Sequence, residues 1–187
     1  MKFIDQDKSY KKLAIRFILS ITLLMLIFLA KQLVIGHQLS LEVNTSYTIN
    51  ISGRQRMLSQ KITKDLILIH NEKDDSLKIK HIKELEASLK LFQYSQKELL
   101  ALNVDKSFLE NNEVVDYLFT EINCVYQNLV ISSQNYLNIV KTNNNLEELD
   151  DYYAIVVESE QQFLEKMDAI VLAYEEKAKD SVEKIQK

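Results

Sequence analysis

The sequence has no proline and no tryptophan, and its 187 residues include only two glycines and one cysteine. A sheet protein of this length needs turn residues at many places, and Gly and Pro supply most of them. With that punctuation almost missing, an all-α fold is expected. A single cysteine excludes an internal disulfide framework and every paired-cysteine metal or redox motif. Cys124 lies in an apolar helical run and is expected to be buried. There is also no GxGxxG turn, P-loop or nucleophile elbow. His37, His70 and His81 stand singly, with neither an i, i+4 partner nor a cysteine, so neither a metal site nor a cofactor is expected. No acid–base or nucleophile pair is placed for chemistry, and the chain reads as a non-enzyme.

Charge is unevenly divided. Residues 1–36 carry six Lys/Arg against two Asp, net +4, leaving seventeen against twenty-five, net −8, for residues 37–187. The two parts are built for different surroundings, and the acidic bulk argues against nucleic acid as a partner. Residues 1–12 are polar and basic. Residues 13–36 are mostly apolar and long enough to cross a hydrocarbon layer of about 30 Å. The flanking positive charge places residues 1–12 in the cytoplasm and residues 37–187 outside it. Phe28 and Lys31 spoil a small-x-small cleavage site near Ala30, so an uncleaved anchor in the membrane is expected rather than a signal peptide.

Beyond the anchor, the apolar positions recur at helical spacing. The first helix continues through Leu39, Val43, Tyr47, Ile51, Leu58, Ile62 and Ile69 to a break at 71–76 rich in N-cap residues. A second stripe, Ile82, Leu85, Leu89, Phe92 and Leu99, ends near Asn103. Ser107 to Glu110 reads as a capping box for a third helix with Val115, Leu118, Ile122, Val125, Leu129, Tyr136 and Ile139 inward. Thr142 to Asn145 interrupts again. Glu147 and Glu148 then suit the first turn of a fourth helix that buries Leu149, Tyr153, Val156, Phe163, Met167, Ile170 and Tyr174. Short polar turns make antiparallel neighbours, so residues 37–187 are expected to form an up-down-up-down four-helix bundle. With the first helix leaving the membrane and three reversals following, the fourth returns to the bilayer, where a second membrane helix of a longer receptor would begin.

One stretch stands out chemically. From Val43 to Lys64 there is no Asp or Glu, and Asn50-Ile51-Ser52-Gly53-Arg54-Gln55-Arg56-Met57-Leu58-Ser59-Gln60-Lys61 concentrates positive charge. At about 100° per residue, Ile51, Leu58, Ile62 and Ile69 fall on one side, with Ser52, Arg56, Ser59 and Thr63 on the other. Arg56 among small hydroxyls is a candidate anion site. The competing reading is a basic helix face pairing with the acidic remainder of the bundle. If two chains pair along the Ser52/Arg56/Ser59 face, Gly53 lets the backbones approach and two Arg56 side chains converge. A small oxyanion then relieves their repulsion through bidentate hydrogen bonds.

The same dozen residues resemble the signature at the start of the PilJ/NarX-like sensor domain, found in type IV pilus chemotaxis transducers and in nitrate/nitrite sensor kinases of two-component systems. The resemblance implies a bacterial inner-membrane receptor whose extracytoplasmic bundle works as a homodimer and passes its signal through membrane helices to a downstream signalling domain or partner protein. In the nitrate-sensing members the arginine before the signature Met contacts the anion, a position matched here by Arg56, with Gly53 matching the family glycine. Lys61 stands where an arginine is usual. The expected ligand-binding set is therefore Arg56, Gly53, Ser52, Ser59, Arg54 and Lys61. The alternative function is a single-pass structural or partner-binding bundle without a small ligand.

Overall fold

The computed structural model describes residues 3–104, 113–142 and 146–186, and among these every regular element is helical. Four helices follow in order: α1 (Phe3–Asn71), α2 (Asp75–Val104), α3 (Glu113–Thr142) and α4 (Leu149–Gln186), the last preceded by a single 3-10 turn, Leu146–Glu148. The chain divides into two compact units, Met1–Val43 and Asn44–Lys187.

The first unit is the N-terminal part of α1. Within it Tyr10–Gly36, 27 residues, is long and apolar enough to cross a membrane, and none of it is buried inside the chain. At 1.5 Å per residue that length is about 40 Å, more than the roughly 30 Å of a hydrocarbon core. Two hydroxyls interrupt the apolar run, and each is satisfied by its own helix: Ser20 Oγ donates to the Arg16 carbonyl at 3.0 Å and Thr22 Oγ1 to that of Ile18 at 2.8 Å. Both hydroxyls are thus closed within the helix, as a hydrocarbon environment favours.

The second unit is a four-helix bundle whose directions can be read from its side-chain pairs. Gln55 meets Phe92 and Gln96 while Lys61, further along α1, meets Glu84, so α2 runs against α1. Lys141 pairs with Glu86 and the Tyr126 ring lies tilted against Phe92, which sets α3 against α2. Lys166 reaches Glu121 while Tyr153 and Tyr136 both lie against His70, and Arg56 and His70 reach Asp168 and Asp150, so α4 opposes both α3 and α1. Up-down-up-down topology follows. The core is one apolar cluster, with Ile51, Leu58, Ile62 and Ile69 of α1 facing Leu85, Phe92 and Leu99 of α2, Ile122, Leu129 and Tyr136 of α3, and Val156, Phe163, Met167 and Ile170 of α4.

The reversal between α1 and α2 is capped as its sequence suggests. Asp74 Oδ1 accepts from the backbone N–H of Ser76 at 2.8 Å and of Leu77 at 3.3 Å, satisfying donors that the first turn of α2 leaves unpaired. The capping box at Ser107 to Glu110 and the break at Asn143 to Asn145 lie outside the described residues. Glu147 and Glu148 fall in the 3-10 turn rather than in α4 itself. Cys124 is exposed, against expectation. Its neighbours Ile122, Val125 and Tyr126 take the inward arc of α3, which turns position 124 to solvent.

Candidate functional site

The buried arc of α1 is wider than its apolar residues alone suggest. Ser52, Gln55 and Ser59 have no exposed surface and Thr63 only 7 %, so these polar residues lie inside the bundle beside Ile51, Leu58 and Ile62. The expectation that Ser52, Ser59 and Thr63 face away from the core is therefore corrected. Four helices surround a common interior, and each helix must bury a broad stripe, wider than a two-helix seam requires. Arg56 sits at the edge of that stripe and is exposed, as expected; Gly53 is exposed too, and a Cβ built on it meets nothing within 4 Å.

Each basic residue of the segment faces a carboxylate. Arg54 Nη2 binds Glu98 Oε2 on α2, and Tyr47 joins them through a 3.4 Å hydrogen bond to Glu98 Oε1. Lys61 Nζ lies 2.9 Å from Asp65 Oδ2 and 3.4 Å from Glu84 Oε2. The hydrogen bond to Asp65 is the main influence raising the Lys61 ammonium above its ordinary value, against the opposing effect of burial. Arg56 turns the other way, and its Nε lies 3.0 Å from Asp168 Oδ1 on α4, an ion pair. The six residues therefore do not converge. Arg54 and Lys61 serve the α1–α2 contact, Arg56 the α1–α4 contact, Ser52 and Ser59 the interior, and Gly53 the outside. Arg56 and Asp168 keep nearly half of their side-chain surface exposed.

Between α1 and α2 the core holds a polar layer that apolar periodicity did not reveal. Gln55 Nε2 donates to the Phe92 carbonyl at 3.0 Å and to Gln96 Oε1 at 3.1 Å. Ser52 Oγ, Gln55 Oε1, Ser95 Oγ and Gln96 Nε2 are buried without a hydrogen-bond partner. A signal for Gln55 was present, since it lies four residues after Ile51 and three before Leu58, on the core line itself.

Two histidines also acquire company that their separate positions in the sequence conceal. His70 stacks on Tyr153 at 4.5 Å and lies 3.4 Å through Nδ1 from the Tyr136 hydroxyl. Burial above all, then Tyr153 and Asp150, pushes the Tyr136 phenol far above its ordinary value. His81 of α2 comes together with Asp65 of α1 and with Glu84.

These features define a class: an all-α bundle, carrying a basic segment and a polar interior, on a chain whose N-terminal helix is able to cross a membrane. A family profile described as the type IV pili methyl-accepting chemotaxis transducer N-terminal domain, PilJ, matches residues 39–152, and the chain belongs to that family. No curated protein and no solved structure matches it significantly. Family membership puts the chain in signal transduction, as the sensor region of a membrane receptor with downstream signalling partners.

Proposed function

We propose that residues 37–187 are the extracytoplasmic sensing domain of a receptor in the bacterial inner membrane. In this reading residues 13–36 are the membrane helix, residues 1–12 lie in the cytoplasm, and Arg56 reads a small oxyanion. The supporting observation is the Arg56–Asp168 pair, the one placement among the candidate residues that joins α1 to α4 through exposed charges. Such a pair contributes only about 0.2–1 kcal/mol, so an oxyanion competes with Asp168 for the guanidinium at small cost. Once the guanidinium turns to the ligand, the tie between the two helices is lost. A small piston or rotation of α1 against α4 then carries the signal.

The homodimer of this reading uses a different face from the one containing Ser52 and Ser59, which the bundle buries. Gly53, Met57, Gln60 and Lys64 share the exposed side of α1, with Ile67 beyond them, and Arg56 borders it. A glycine in mid-helix with open space around it costs stability for no contact within one chain, so close approach of a second copy gives it a purpose. A disulfide between copies carrying Met57→Cys tests that face.

The test of the ligand is a thermal melt of the full chain in detergent micelles with nitrate, nitrite and other small oxyanions. A stabilising shift by at least one of them is expected in the native chain, and Arg56→Ala is expected to abolish it. An unchanged shift in Arg56→Ala would remove Arg56 from the site. Absence of any shift in the native chain would favour the second reading, a partner-binding bundle without a small ligand. That reading draws support from the carboxylate already facing each of Arg54, Arg56 and Lys61.

A further inference from the structure

Near the α1–α2 reversal, Asp65 is a carboxylate with 2 % of its surface exposed, and His81 and Glu84 are i, i+3 neighbours on α2 facing it. One ligand atom from each of the three lies within 4.8 Å of the other two. The Lys61 ammonium stands between the carboxylates, as given above. An ion-pair network accounts for Lys61, Asp65 and Glu84, but it leaves the imidazole unexplained. His81 Nδ1 is sealed from solvent and has no hydrogen-bond partner; Glu84 Oε2 is 3.9 Å away, beyond hydrogen-bond reach. A buried, unpartnered ring nitrogen on a residue that meets one carboxylate from each of two neighbouring helices is placed to give its lone pair to a metal ion when that nitrogen carries no proton.

We propose that Asp65, His81 and Glu84 are the protein ligands of a divalent transition-metal site of the zinc type, with the Lys61 ammonium as its internal competitor. Zinc bonds to nitrogen and oxygen are about 2.0–2.2 Å, so a tetrahedral set holds its donor atoms about 3.3–3.5 Å apart. The three donors lie within 4.8 Å of one another, so metal binding requires them to draw in by about an ångström, a movement that the partly exposed Glu84 side chain is able to share. One imidazole and two carboxylates suit zinc and its neighbours in the transition series. Calcium takes six to eight oxygens, and magnesium holds an oxygen octahedron, so the set fits neither. Three protein ligands leave a fourth position for water. Lys61, with 41 % of its side chain exposed, swings into solvent as the metal replaces it between the carboxylates. The bound ion then clasps α1 to α2 beside their turn. This site is separate from Arg56 and does not depend on the oxyanion reading.

The test is calorimetric titration of zinc chloride into the metal-stripped full chain in micelles, with cobalt(II) as a spectroscopic probe of a tetrahedral nitrogen–oxygen set. One equivalent is expected to bind and to raise the melting temperature, while magnesium and calcium at the same concentration do neither. His81→Ala and Glu84→Gln are expected to weaken zinc by more than the roughly ten- to hundredfold that loss of an outer-sphere partner costs. Lys61→Met is expected to tighten binding by removing the competitor, and His70→Asn to leave it unchanged. Both Glu84 and Lys61 are partly exposed, so their variants fold even if changes at Asp65 do not. No binding to the native chain, equal binding after His81→Ala, or weaker binding after Lys61→Met would overturn the assignment.

Discussion

Phe92 occupies the point where three helices meet, with no exposed surface, its ring 5.2 Å from both Tyr126 of α3 and Phe163 of α4. Phe92→Ala removes those edge contacts and leaves a cavity that helix backbones cannot close, so a loss of about 3–5 kcal/mol is expected in denaturant melts. Tyrosine chemistry sets the alkaline limit. Burial first, with Asp116 second, pushes the Tyr174 phenol from 10.0 up to about 12, and Tyr136 is raised further by burial, Tyr153 and Asp150. Both are groups whose folded value exceeds the unfolded one. Their contribution is fully present below pH 10 and is lost as pH climbs toward 12 and beyond. Phenolate absorbance of these two residues is therefore expected to rise together with loss of helicity, not before it. At this scale the sequence was informative where chemistry is local: the inward apolar residues and the exposed, basic Arg56 were legible. Asp65, four residues after Lys61, was also within reach of the sequence, but Glu98, Asp168 and Glu84, which face Arg54, Arg56 and Lys61, were not, because they lie far along the chain and only packing brings them near.

Helix pairs are specified by more than apolar fit. The Gln55–Gln96 contact and the Gln55 bond to the Phe92 carbonyl fix one register of α1 on α2, at the cost of buried amide atoms left unpaired. Replacing Gln55 alone by Leu strands Gln96 and is expected to cost about 1–3 kcal/mol. The double change to Leu at both positions is expected to be close to neutral or stabilising, a non-additivity that a double-mutant cycle of unfolding free energies measures. Gly53 offers the opposite case. Gly53→Ala meets no neighbour within 4 Å and is expected to stabilise the isolated bundle by about 1 kcal/mol. If copies pair across this face, the same change weakens their association in sedimentation. The elements themselves were legible from spacing and caps, as Asp74 and the helix ends at Asn71 and Thr142 illustrate. The width of the buried arc was not, since whether Ser52 and Ser59 face solvent or a third and fourth helix depends on the number of helices around the core.

For the whole molecule, absence of turn residues, a long apolar N-terminal run and polar interruptions sufficed to foresee an all-α bundle that follows, in sequence, a helix long and apolar enough to cross a membrane, because these features depend on composition and period alone. The sensing mechanism proposed above rests on pairwise geometry between α1 and α4, which no single helix carries. In the proposed mechanism Asp168 is the internal rival of the ligand for Arg56, and this makes a signed statement about a residue that the signature segment does not contain. The most direct measurement is the oxyanion affinity of the full chain carrying Asp168→Asn, compared with the native chain, for whichever oxyanion stabilises the native protein. Removing an exposed pair of about 0.2–1 kcal/mol is expected to tighten binding by about 1.4- to fivefold. Affinity that is unchanged or weaker in Asp168→Asn would contradict the competition between Asp168 and ligand for Arg56.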